Sequence, residues 1–226
     1  MATRDAQRRE THQRIYESAL AIFRRDGVSA CRTDDIATAA GVSRGAFYFH
    51  FPTKEHVLLE RMQETEAIIC ARLDALAEDA PIECVLAQLN QSLAAIWEPD
   101  PKLLPDLVGA ALRFTALTMH DQQATPLRSA LAARFRDAAA RGEIVGRLPP
   151  EILGDVYLGN TLGGLLAWYG NPVMPLRSVL DAVTDLFWAG AGAPLSAAKK
   201  KTTKKSATET KKKTKKKSAT RKSARH

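Results

Sequence analysis

The chain has 226 residues, 33 Lys+Arg against 25 Asp+Glu, and a formal net charge of +8. Residues 199–226 carry 12 Lys, 2 Arg and a single acid, Glu209, whereas residues 1–198 carry 19 Lys+Arg against 24 Asp+Glu. A mildly acidic body, long enough to build a full core without disulfide or metal staples, therefore precedes a strongly basic tail, and a tail this polar and like-charged cannot bury enough apolar surface to fold alone.

The three cysteines, Cys31, Cys70 and Cys84, are far apart and form no C-x-x-C pair. Odd count and wide spacing argue against a disulfide framework or a zinc site and fit thiols in a reducing compartment. The N-terminal MATRDAQRRETHQR lacks the apolar core of a signal peptide. No run approaches the ~18 apolar residues of a spanning helix. The expected setting is cytoplasmic and nucleoid-associated, with no membrane partner.

Helical periodicity runs along nearly the whole body. Residues 11–26 put Ile15, Ala19, Ile22 and Phe23 on one face, and Gly27 stops the helix. Two short segments follow, 33–40 and 43–50, separated by Gly41-Val42. Phe51-Pro52-Thr53 marks a boundary, with Thr53 as the N-cap expected for a long helix from Lys54 towards Ala77. Further helical patterns cover 82–97, 102–119, 126–141, 150–169 and 175–189, with Pro, Gly or Asp at each junction. The expected fold is all-α with about nine helices, no strand and no repeat.

The last two body helices differ from the rest. Residues 152–169 are apolar nearly all round and contain Gly159, Gly163 and Gly164, each costing about 1 kcal/mol relative to Ala in helix propensity and tolerable where another helix must come close. Residues 176–188 add Val179, Val183 and Phe187 at helical spacing. The pattern fits either an ordinary monomer core or a helix-pair surface of a homodimer. For the dimer, Leu162, Leu166, Val179, Val183 and Phe187 are the candidate contacts.

The stretch with the most chemical content is Ile36-Ala-Thr-Ala-Ala-Gly41-Val-Ser43-Arg-Gly-Ala-Phe-Tyr48-Phe-His50-Phe51. It reads as helix, tight turn, helix. Ile36, Ala37, Ala40 and Val42 let two short helices cross closely, and Gly41 supplies the turn backbone. Ser43 can cap the second helix. Beyond it lie Arg44, able to fork onto guanine O6 and N7, and Gly45 and Ala46, small enough to bring the backbone near a groove floor. Tyr48 and His50 lie near the far end and suit phosphate oxygens, with Lys54 at the start of the next helix. For Tyr48 a core ring with only its hydroxyl exposed is the competing role. For His50 it is capping or packing.

Three other patterns carry less. Gly41-Val42-Ser43-Arg44-Gly45 matches the G-x-S-x-G elbow of hydrolases, but that motif needs a strand before the serine. His50 and His56 have no further ligands at metal spacing. Asn90-Gln91-Ser92 is a sequon only in a secreted chain. No paired catalytic groups stand in a workable context, so an enzyme, a cofactor and a metal are not expected.

Taken in register, Ala21-x-Phe23-x3-Gly27, Ile36-Ala37-x2-Ala40-Gly41-Val42-Ser43-x-Gly45-x2-Tyr48-x-His50-Phe51 and Lys54-Glu55 resemble the N-terminal domain of the TetR family of transcriptional regulators. The resemblance covers about residues 9–69, with the helix-turn-helix at 32–51. It implies an all-α homodimer that binds a palindromic operator in double-stranded DNA and is released by a small molecule held in the C-terminal domain, here residues 70–192. Carried over by position, Arg44, Gly45 and Ala46 fall where family members touch bases, and Ser43, Tyr48, His50 and Lys54 where they touch phosphate. The chain departs from the pattern at Cys31 and Arg32, where Thr or Ser is usual. Either Thr33 takes the cap one residue late, or Arg32 reaches the phosphates.

The resemblance places the effector among the middle helices, where Trp97, Leu104, Leu107, Phe114, Leu117, Met119 and His120 are candidates. Each is equally readable as core, and together they suit a small hydrophobic effector. The tail, residues 193–226, is similar to the Lys-rich termini of linker histones. It is read as disordered and either solubilising or binding DNA through counterion release without reading sequence. A ligand-responsive repressor is the expected function. A nucleoid-associated protein that bridges duplexes, dominated by the tail, is the alternative.

Overall fold

The computed structural model describes residues 3–121, 125–144 and 148–191, with the side chains of 114–121 and 190–191 excepted. Among the described residues there are nine α-helices, one 3₁₀ turn and no strand. They are α1 (Arg4–Asp26), α2 (Thr33–Ala39), α3 (Arg44–His50), α4 (Glu55–Asp74), α5 (Ile82–Trp97), α6 (Leu104–Asp121), α7 (Pro126–Ala140), α8 (Pro150–Gly170) and α9 (Leu176–Ala191), with the 3₁₀ turn at Pro101–Leu103. The tail expected at 193–226 lies outside the described residues.

The N-terminal end is a small unit built on α1, α2 and α3. Helix α1 is longer than its apolar pattern predicts, because Thr3 caps it by accepting from the Ala6 amide at 3.4 Å. Its first two turns are charged, so they show no apolar period, yet Arg, Gln and Glu are good helix formers. Its buried face is Ile15, Tyr16, Ala19, Leu20, Ile22 and Phe23. Helix α4 joins this unit to the remaining helices, packing against α1, α5, α6 and α7. It stops at Asp74, three residues earlier than expected, and the Arg134 guanidinium of α7 takes up the carbonyls of Leu73, Ala77 and Glu78 at 2.8–3.0 Å.

The larger group packs α7 on α8, α8 on α9, and α5 on α4 and α9. One buried polar network ties three of these helices. The Tyr157 hydroxyl donates to Asn90 Oδ1 at 3.0 Å and lies 2.8 Å from the Thr184 hydroxyl, while Asn90 Nδ2 donates to Asp181 at 3.0 Å. Of the α8 glycines, Gly164 has the close approach foreseen for this helix. A Cβ there would lie 3.0 Å from Val183 Cγ2, so the missing side chain is what lets α9 come close. Gly159 and Gly163 instead face open space.

The apolar surface of α8 is split. Leu153, Tyr157, Leu165 and Trp168 are buried within the protomer, while Ile152, Val156, Leu166 and Tyr169 are exposed. With Gly159 and Gly163 the exposed set forms a stripe spaced by three and four residues, and Leu186 of α9 is 74% exposed. Of the five residues nominated for a dimer, Leu166 is exposed, Leu162, Val179 and Val183 are half-buried and Phe187 is buried. Phe187 is buried against Tyr157, with ring centroids 5.3 Å apart, and Val183 packs towards Gly164 of its own chain. Val179 is half-buried against the core, and Leu162 lines an internal cavity. Only Leu166 faces outward. The physical reason is that a helix apolar on all sides gives periodicity no phase, so the pattern could not say which side the protomer itself covers.

Candidate nucleic-acid interface

Helices α2 and α3 form the tight pair read from the sequence. Helix α2 ends where the Val42 amide donates to the Ala37 carbonyl at 2.9 Å and Gly41 takes φ +66°, a conformation most side chains resist. Ser43 then caps α3, its hydroxyl accepting from the Ala46 amide at 3.1 Å. Phe47 and Phe51 are buried and anchor α3 to the core, which leaves Ser43, Arg44, Gly45, Tyr48 and Phe49 exposed and Ala46 half-buried. The helix the sequence placed at the DNA is therefore a surface element. A helix, not a strand, precedes Ser43, so the hydrolase elbow has no structural support here.

Arg44 is held loosely at this surface. Its Nη1 lies 3.4 Å from Asp34 Oδ2, and its Cζ stands 5.7 Å over the Tyr48 ring. Both partners are exposed, so the pair adds little to stability and leaves the guanidinium free to exchange partners. The Tyr48 hydroxyl lies 3.1 Å from that of Thr33, and this contact, followed by Arg44, pulls the phenol below its usual value. Thr33 thus does not take over the cap of α2. The N-cap is Arg32, with no side-chain cap bond, and its backbone carbonyl receives the Asp35 amide at 3.1 Å. The Arg32 side chain is exposed.

The far end of α3 is aromatic. His50 is half-buried, its ring 5.5 Å from that of His12, and burial, then His12 and Arg8, keep its pKa below the usual imidazole value. His12 bridges α1 to α4 through Glu60 at 2.9 Å and stacks on Phe51. Sequence reasoning missed Phe49, which is 68% exposed with the Arg8 guanidinium 5.2 Å over its ring. No local pattern links residues 41 positions apart, so nothing in the sequence signalled this pair.

Lys54 and Thr53 depart from expectation. Lys54 precedes α4, and its ammonium donates to the carbonyls of Val28 at 2.6 Å, Cys31 at 2.9 Å and Ser29 at 3.4 Å. Its three protons are engaged by the α1–α2 loop. The Thr53 hydroxyl meets His56 Nδ1 at 3.0 Å and does not cap the α4 backbone.

A second feature lies between α4, α5, α6, α7 and α8. It is an apolar cavity of about 110 Å³ whose walls include Ile69, Leu93, Trp97, Leu104, Leu107 and Leu165. Trp97, Leu104 and Leu107 were candidates from the sequence, whereas the side chains of Phe114, Leu117, Met119 and His120 lie outside the described residues. Behind Trp97 the Arg61 guanidinium of α4 stands 5.3 Å from its ring and reaches Glu64, which also accepts the Tyr16 hydroxyl of α1. Among the described residues no helix is long and apolar enough to cross a membrane, and no cluster of three or more His, Cys, Asp or Glu could hold a metal ion.

Residues 15–60 match the family model for bacterial regulatory proteins of the tetR family. The chain is 36% identical over 110 residues to the HTH-type transcriptional regulator CymR of Pseudomonas putida, covering 48% of this chain and 54% of CymR. It is 34% identical over 151 residues to the HTH-type transcriptional regulator TtgR of Pseudomonas putida, covering 63% of this chain and 72% of TtgR. The chain thus spans about half of CymR and about a third of two other matched regulators. Among solved structures it is similar to FadR of Thermus thermophilus, described as a TetR-family transcriptional repressor in complex with lauroyl-CoA. That likeness has a TM-score of 0.62 at 27% identity and covers 81% of this chain and 98% of that one.

Proposed function

The chain belongs to the tetR family of bacterial regulatory proteins, and from that premise we propose that it is a sequence-specific transcriptional regulator, a repressor that leaves its operator when a small apolar molecule binds. The observation that carries the reading is the Ser43-capped helix α3, which presents Arg44 and Gly45 on the surface while Phe47 and Phe51 fasten it from beneath. Arg44 reads a base edge, and Ser43, Tyr48 and His50 meet phosphates, with Ala46 close to the groove floor. Arg32, at the start of α2, reaches the backbone. Thr33 acts through Tyr48. Lys54 serves the interface mainly by fixing the loop ahead of α2.

A single α3 reads only a half-site, so the working unit is a dimer on a palindrome with half-sites ~34–36 Å apart. The exposed stripe Ile152, Val156, Gly159, Gly163 and Leu166 on α8, with Leu186 of α9, supports this. A contiguous apolar patch rimmed by polar groups marks an interaction surface, and the glycines permit close helix approach. We assign residues 9–69 to DNA binding, 70–192 to effector binding and dimerisation, and 193–226 to non-specific DNA contacts. Ligand and DNA favour different separations of the two α3 helices, so each weakens the other's binding.

Footprinting tests the reading. Discrete protected palindromes, lost on adding an apolar ligand that binds the cavity, are the expected result. The Lys-rich tail favours a second reading, a protein that bridges duplexes, for which smooth protection over all sequences is the signature.

A further inference from the structure

A polar cleft of about 390 Å³ lies between the DNA-binding unit and α6. One wall is Val28 and Ser29 of the α1–α2 loop with Glu55 at the start of α4, and the other is Asp106, Gly109 and Arg113 of α6. The cleft shares no described wall residue with the apolar cavity. Its size falls within the ~300–1,000 Å³ range of small-molecule sites.

Among the described residues four charged side chains reach this cleft, and they are not equally committed. The Lys54 ammonium gives its protons to the carbonyls of Val28, Cys31 and Ser29. Asp106 uses one oxygen, Oδ2, to accept the Val28 amide at 3.3 Å, and a carboxylate has about four acceptor positions. Arg113 turns back along α6, where a Cβ added to Gly109 would lie 3.4 Å from its Nη1. Among the described residues Arg113, Asp106 and Glu55 enter no ion pair. Turned back over Gly109, the guanidinium stands about one helical turn, ~5 Å, along the axis from Asp106. Opposite charges thus face one cleft with a gap between them.

We propose that this cleft is a second ligand site, for a small zwitterion of the α-amino-acid type. The carboxylate forks onto Arg113, the ammonium donates to spare oxygens of Asp106 and Glu55, and a short side chain lies towards Leu58 and Pro105. A plain anion would set like charge against two carboxylates, and a plain cation would set it against Arg113. A molecule that carries both charges a few ångströms apart pairs with both kinds of wall group at once. Bound there, it ties α6 to the Val28–Ser29 loop that leads into α2. Zwitterion binding and operator binding are therefore coupled, with no entry into the apolar cavity. The coupling rests on reading the chain as an operator-binding regulator, whereas the site itself does not.

The test titrates the full-length protein with three probes of one apolar body, L-norvaline, pentanoate and butylamine, followed by ligand-observed NMR. Norvaline is expected to bind at least about tenfold tighter than either single-charge analogue, the scale of one hydrogen bond to a charged group. Arg113→Gln alters an exposed side chain, and Asp106→Asn keeps an acceptor for the Val28 amide. Each should lower norvaline affinity about tenfold, with circular dichroism to confirm folding. If Asp106→Asn unfolds, Arg113→Gln decides the matter. Saturating norvaline should also shift operator affinity at least about fivefold, the lower end of allosteric coupling. Failure of norvaline to bind, a single-charge analogue that matches it, or binding that survives Arg113→Gln overturns the site. Norvaline that meets these requirements and leaves operator affinity unshifted overturns the coupling and upholds the site. Lack of any specific operator defeats the regulator reading instead, and the NMR titrations still judge the site.

Discussion

The Lys54 ammonium, just ahead of α4, lies 2.6 Å from the carbonyl oxygen of Val28, two residues after α1 ends at Asp26. With the Cys31 carbonyl at 2.9 Å, this makes Lys54 a clamp that fixes the α1–α2 loop and through it the start of α2. Lys54→Met is therefore expected to lower unfolding stability by about 1.5–3 kcal/mol, the range for hydrogen bonds to charged groups. Urea titration measures it. Operator affinity should fall to a similar degree on every sequence, since the clamp reads no base. An unchanged urea midpoint with that uniform loss would make Lys54 a phosphate ligand alone.

Arg44 supplies the opposite signature. In the free protein it rests against Asp34 and Tyr48, both exposed, so its removal should leave stability almost unchanged. Arg44→Ala is expected to relax base preference at one operator position by roughly 1–3 kcal/mol. Binding to a panel of single-base operator variants checks this. An equal loss across the panel would show that Arg44 only holds phosphate.

Much of this was legible in the sequence because local chemistry decides it. Pro81 and Pro99 bracket α5, and its bounds fall where the punctuation put them. The Ser43 cap and the Gly41 turn follow from residues within three positions of one another. What stayed hidden is long-range or has no phase. Lys54 reaching Val28 and Arg8 stacking on Phe49 link residues brought together only by folding. The outward face of α8 could not be chosen because both of its faces are apolar. Helix α1 began earlier than expected because its first turns are stabilised by propensity and the Thr3 cap and not by burial.

His50 gives a pH test of its phosphate role. The free protein holds its imidazole below the ordinary value, first through burial and then through His12 and Arg8. A neighbouring phosphate acts the other way and favours the imidazolium. The complex then binds more protons than its separate parts, so affinity rises as pH falls through the ordinary imidazole range near ~6.5. His50→Gln should remove that rise. Matching pH profiles for the variant and the parent would leave His50 a packing residue.

The buried Tyr157 hydroxyl links Asn90 and Thr184, so Tyr157→Phe leaves both short of a partner. The expected cost is about 1–3 kcal/mol of unfolding stability. Burial raises the Tyr157 pKa, which sets the sign of its alkaline behaviour. Above the ordinary phenol value of about 10 the unfolded chain ionises while the folded one does not. Stability from this tyrosine is thus present below that pH and is lost as pH rises towards the folded value. Tyr16 is raised as well, through burial and Glu64, so the comparison is of slopes. The variant should lose less stability than the parent between neutral and alkaline pH, measured by denaturant titration at each pH.

Leu166 and Phe187 separate assembly from folding. Leu166 is exposed on the α8 stripe and Phe187 is buried between Phe135 and Tyr157. Leu166→Arg places a charge in the proposed helix-to-helix contact without disturbing the protomer core. It is expected to give a folded monomer with operator affinity sharply reduced, because a monomer holds a single half-site. Phe187→Ala instead opens a core void and should cost about 3–5 kcal/mol of stability, with assembly changing only as far as the protein unfolds. Sedimentation velocity beside thermal unfolding distinguishes the two. A dimer that persists in Leu166→Arg would move the contact away from this face of α8, and a stable monomer from Phe187→Ala would place that ring in the interface after all.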